Sequence, residues 1–113
     1  MKLYIYTVYD NLAESHATPF FAVNDDVARR SFVDLVADPR TTVAQHPDDF
    51  ILFCVGSFDS ETGHTEDSSR RRVVDGVSAT LEVKRLAKFR ASIQHEVDES
   101  EEQKRMDYLN DAE

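Results

Sequence analysis

Two short runs constrain this chain more than anything else in it: "KLYIYTVYD", Lys2 to Asp10, and "FILFCVGSFD", Phe50 to Asp59. Successive side chains of a strand point to opposite faces, so a strand with one wet face alternates apolar with polar. Neither run alternates. In the first, Leu3, Ile5 and Thr7 form one set and Tyr4, Tyr6 and Val8 the other, and both are largely apolar. β-branched and aromatic residues dominate both runs, which favours strand over helix. Both are therefore predicted as central strands of one sheet, near 2–9 and 50–58.

The intervening sequence supplies the rest of an α+β domain. "DNLAESHAT" is a polar connection, and "PFFAV" returns to an extended apolar segment near 19–23. "NDDVARRSFVDLVADP" has Asn24 as a cap, Asp25 and Asp26 at the positive end of the helix dipole, and Pro39 as a stop. A helix near 25–38 is predicted, with Val27, Phe32, Leu35 and Val36 on the face that meets the sheet. "RTTVAQHPDD" reads as a loop or short turn, and "DSETG" as a hairpin loop with Gly63 in the left-handed position. "HTEDSSRRR" is a weak strand at best, leaving 72–75 as the candidate fourth strand of an antiparallel or mixed sheet.

From about Ser78, a candidate cap, the pattern turns helical. Leu81, Leu86, Phe89, Ile93 and Val97 recur at mostly helical spacing, giving a C-terminal helix near 79–97. The acidic remainder has little to bury, and a frayed helix or disorder is expected after about 98. The division is thus an α+β domain over 1–77 and a helical extension over 78–113. A length of 113 residues suits one domain with a modest core.

The net charge of -9 is unevenly spread. Residues 1–69 set four basic residues against twelve acidic, and residues 91–113 set two against eight. Between them, residues 70–90 carry seven basic residues and only Asp75 and Glu82. One cysteine rules out an internal disulfide and fits a reducing cytoplasm. The N-terminal apolar run is too short and tyrosine-rich for a signal peptide, and no run approaches the roughly 20 apolar residues that span a bilayer.

The residues that could carry chemistry do not assemble into a site. His46, Asp48 and Asp49 are adjacent, but neighbouring aspartates diverge and Pro47 extends the residue before it, so the group reads as the start of a strand rather than a metal site. Cys54 lies inside an apolar strand, where a thiol is core rather than nucleophile. His16, His64 and His95 are scattered, and three glycines in the whole chain form no phosphate-cradling loop. No enzyme activity, cofactor or metal is expected.

The basic island is the stronger lead. Arg70, Arg71, Arg72, Lys84, Arg85, Lys88 and Arg90 are candidate phosphate contacts. Tyr4, Tyr6, Phe20 and Phe21 could stack on unpaired bases, although as strand residues they belong more naturally to the core. The bland alternative is that the arginines are solvated or pair with the chain's own acids. Leu81, Leu86, Phe89 and Ile93 are candidate partner-binding residues, for another protein or for a second copy in a homodimer.

"VYD", Ala13 and "PFF", then "ARRSFVDLVADP", then "HPDDFILFCVGSFDSETG" recur in this order and spacing in a known group. Over about residues 3–65 the chain resembles the small nonstructural protein of gokushovirus-type microviruses, phages with single-stranded DNA genomes. That protein is likened to the microvirus C protein, a switch factor. The resemblance implies a noncatalytic protein of the host bacterial cytoplasm that acts in viral single-stranded DNA synthesis or packaging. Its expected partners are replication or procapsid proteins. The family members end sooner, so the C-terminal helix and most of the basic island lie outside the resemblance.

Overall fold

A computed structural model describes residues 1–111. Five strands form one antiparallel sheet: β1 (Lys2–Asp10), β2 (Ser15–His16), β3 (Phe20–Ala22), β4 (Phe50–Asp59) and β5 (Thr65–Asp75). Three helices accompany them: α1 (Asp25–Ala37), α2 (Thr42–Gln45) and α3 (Gly76–Asp111). The fold is α+β. β1 and β4 are the interior strands; β5 flanks β4, and β2 and β3 both pair with the far edge of β1. The two runs that lack a wet face thus occupy the centre of the sheet.

Chain division falls at Val83: residues 1–83 form one compact unit, and a second begins at Lys84. In the first unit, α1 covers the sheet face that carries Tyr6, Val8, Leu52 and Cys54. Ala28, Phe32, Val33 and Val36 of α1 are buried with them, together with Val74 of β5 and Ala79 of α3. Phe32 and Leu52 are fully buried, and each contributes about 1.5–3 kcal/mol through removal from water. Cys54 is buried in this core, as its apolar strand requires.

The predicted cap of α1 is present: Asn24 Oδ1 accepts the Val27 N–H at 2.9 Å. Leu35, predicted to face the core, is instead exposed and lines a shallow groove with Val8, Phe20, Val43 and Phe50. Ala28 and Val33 take the buried places, so the helix is rotated slightly from the face the larger residues suggested.

Three other expectations are corrected. β5 is eleven residues long rather than confined to 72–75. Its polar residues lie on an exposed edge strand, where pairing with β4 supplies what apolar burial does not. The polar connection 11–18 contains a short strand, β2, whose Ser15 and His16 pair with Asp10 and Tyr9. Helix α3 begins at Gly76, and Asp75 rather than Ser78 caps it: Asp75 Oδ1 accepts the Ser78 N–H at 2.7 Å. α3 is helical through Asp111, and its polar stretch carries i,i+4 contacts, His95 to Glu99, Gln94 to Asp98 and Gln103 to Asp107.

The stretch His46–Gly63 resolves into turn, strand and loop. Pro47–Asp49 make one 3-10 turn that leads into β4. After β4, the Gly63 N–H donates to the Asp59 carbonyl and Gly63 has φ +75°, the left-handed conformation expected of it.

Candidate functional site

The three consecutive arginines lie on β5, and strand geometry separates them. Arg71 is paired in register with Cys54 and points to the helix-covered face, where it meets Asp25 at the start of α1 through Nη1 at 2.7 Å and Nη2 at 3.0 Å. The same carboxylate accepts the hydroxyl of Tyr6 at 2.7 Å. Arg71, followed by the Tyr6 hydrogen bond, holds the Asp25 carboxyl below the usual carboxylate range, against an opposing contribution from burial. Burial, then Asp25, pushes the Tyr6 phenol up. Arg72 pairs in register with Phe53 on the opposite face, and its Nη2 reaches Asp75 at 2.8 Å. Two of the three arginines are therefore engaged by the chain's own acids.

Arg70 is engaged differently. Its guanidinium carbon lies 4.1 Å from the centre of the Phe53 ring and 5.0 Å from that of Tyr9. Arg70 Nη1 is 3.3 Å from His16 Nε2. The His16 ring packs 4.7 Å from the Tyr9 ring, and Tyr9 meets Phe53 edge-on at 6.1 Å. Arg70 and His16 are exposed, whereas Phe53 is buried beneath them. Further along the same sheet face, Phe21 meets Phe58 edge-on at 5.6 Å. The result is a cation resting on an aromatic floor on the face that α1 leaves open.

Tyr9, Phe53 and His16 were not legible as site residues. Their only common signal is cross-strand register, which joins positions up to fifty-four residues apart. The aromatic candidates Tyr4, Tyr6, Phe20 and Phe21 divide: Tyr6 is core, Tyr4 and Phe20 pack against it, and Phe21 is exposed.

In the second unit, Lys84, Arg85, Lys88 and Arg90 are exposed and make no ion pair among the described residues. Phe89, Ile93 and Val97 are 62 %, 44 % and 43 % exposed, and Leu86 is half-buried. Leu81, in the first unit, is 63 % exposed. At about 100° per residue it falls on the side of α3 that carries Lys84 and Lys88, not with Leu86, Phe89, Ile93 and Val97. The apolar stripe is thus four residues long.

Among the described residues, no group of three or more His, Cys, Asp or Glu side chains could hold a metal ion. His46 and Asp48 are exposed on the 3-10 turn and its approach, and the Asp49 carbonyl accepts the Asn11 N–H at 2.8 Å. That backbone bond holds the β1–β2 turn against the start of β4. No helix among the described residues is long and apolar enough to cross a membrane.

Comparison with curated proteins and with solved structures gave no match. A family description, phage ORF5 protein, matches residues 3–79, from the start of β1 into the first turn of α3. It spans the whole sheet, α1 and α2, and stops before the exposed basic residues and apolar stripe of α3. With well over half of its length matched, the chain belongs to the phage ORF5 protein family.

Proposed function

We propose that this chain is a noncatalytic accessory protein of a microvirus-type phage, working in the host cytoplasm in single-stranded DNA synthesis or genome packaging. Family membership supports the phage setting. The three blocks within residues 3–65 support the microvirus assignment. The observation that carries binding, rather than catalysis, is the exposed stripe Phe89, Ile93 and Val97 on α3. Contiguous apolar surface on a water-exposed helix marks a protein contact. The first partners to test are replication and procapsid proteins. The test is deletion of the gene in the phage: progeny single-strand synthesis or packaged genomes should fall, and unchanged yields of both would overturn the reading.

Arg70 favours a second reading, direct contact with single-stranded DNA. A guanidinium lying over aromatic rings offers a further plane for an unpaired base and N–H donors for phosphate. The second unit, taken by itself, carries uncommitted positive charge at Lys84 and Lys88. Arg71 and Arg72 are poor phosphate ligands here because each already has a carboxylate. In a titration with a single-stranded oligonucleotide, affinity should fall steeply with salt, with a log–log slope of about 0.7 per phosphate neutralised. Arg70→Ala should weaken binding and lower the slope, and Arg72→Ala should do neither. Binding that is absent at low salt, or insensitive to salt, would remove this reading.

A further inference from the structure

We infer that the apolar stripe of α3 is covered by α3 of a second copy, packed antiparallel about a two-fold axis at Ile93. This rests on the protein-contact reading above and names the partner.

Charge order along the helix carries the inference. Residues 84–90 hold Lys84, Arg85, Lys88 and Arg90 without an acid, and residues 96–102 hold Glu96, Asp98, Glu99, Glu101 and Glu102 without a base. Ile93 lies midway between the two blocks. Within one helix they are too far apart along the axis to meet, and no ion pair joins them among the described residues. A parallel partner would set base on base and acid on acid. An antiparallel partner centred on Ile93 sets each block beside the opposite one, with Lys84 level with Glu102, Lys88 with Asp98 and Phe89 with Val97.

The flanks of the stripe agree. Taking Leu86, Phe89, Ile93 and Val97 as the seam, Arg85 and Glu96 lie on one flank of α3, and Arg90 and Glu101 on the other. A two-fold axis brings like flanks together. Arg85 then faces Glu96 of the second copy and Arg90 faces its Glu101, each offset by about 7.5 Å along the axis at the helical rise. That is the offset bridged by the flanking ion pairs of two-stranded coiled coils. Lys84 and Lys88 stay on the outer surface, away from the seam.

The pairing is tested by sedimentation of the full chain and its variants at low salt. The natural chain should be a dimer that dissociates on dilution. Arg85→Glu with Arg90→Glu places acid against acid on both flanks, and Glu96→Arg with Glu101→Arg places base against base. Each double variant alone should dimerise about a hundredfold more weakly, or more weakly still. Mixing the two restores every flanking pair and should restore the dimer as a heterodimer. Ile93→Asp, at the axis, should abolish association without loss of the sheet's circular dichroism. A natural chain that stays monomeric, double variants that stay dimeric, or a mixture that stays monomeric would overturn the pairing. A monomeric chain would leave the accessory-protein reading standing, since the deletion phenotype tests that separately.

Discussion

Asp25 and Arg71, forty-six positions apart, form a two-point contact that ties the first turn of α1 to strand β5 across the sheet. The fully buried Tyr6 completes it by donating its hydroxyl to the same carboxylate. Arg71 thus belongs to the structure of the domain although it sits in the most basic run of the sequence. Tyr6→Phe should destabilise the chain by about 1 kcal/mol, the net value of one intramolecular hydrogen bond. Arg71→Ala should cost a similar amount, because the pair is partly exposed and solvent screens it. Urea unfolding with an unchanged slope and a lower midpoint checks both.

The same three residues set a pH window. The folded-state pKa of Asp25 is lowered by Arg71 and by Tyr6, so its contribution is present above the unfolded carboxylate value, about 3.9, and is lost as pH falls through the folded value. Tyr6 is raised by burial and by Asp25, so its contribution is present below the unfolded phenol value, about 10, and is lost as pH rises towards the folded value. Midpoints of thermal unfolding should form a plateau between these limits. Asp25→Asn should make the acid side less steep without removing it, since Ser78 and Arg72 also hold the Asp75 carboxyl below the usual range, and an acid limb identical to that of the natural chain would refute the assignment.

The centre of the fold was legible because it depends on composition along single segments. Two runs without a wet face had to be interior strands, and Asn24 followed by two aspartates had to begin a helix. Only the end of β5, 72–75, was legible, and residues 65–71 were not, because their stability comes from pairing rather than from their own side chains. Register also divides the three arginines. The sequence left open whether they contact phosphate or pair with the chain's own acids, and a strand sends Arg71 to the face opposite Arg70 and Arg72. The aromatic floor under Arg70 is assembled from three strands. Only register reveals it.

Gly76 is a packing prediction. A Cβ at this position would run into the carbonyl oxygen of Pro47, and backbone at the 3-10 turn cannot swing aside as a side chain could. Gly76→Ala should therefore destabilise by about 2–3 kcal/mol despite the better helix propensity of alanine. Gly63→Ala is a comparison with a different cause: open space surrounds the site, and only the positive φ opposes it. A loss of about 1 kcal/mol is expected there. Denaturation midpoints in the reverse order would contradict the packing account.

Truncation separates the part of α3 that builds the first unit from the part that does not. Ala79 is fully buried and Val83 packs against the core. Glu82 accepts from Arg29 of α1 through Nε at 3.1 Å and Nη2 at 2.9 Å. A chain ending at Gly76 loses all three contacts and uncovers the apolar surface beneath Ala79, so it should aggregate or unfold at a much lower denaturant concentration. A chain ending at Val83 keeps them and should retain the cooperative unfolding of the sheet. It should also be monomeric, since the stripe and both charged blocks are gone. Hydrogen exchange of the β1 and β4 amides in the two truncated chains reads the difference directly. Equal protection in both would show that the first turns of α3 contribute nothing to the domain.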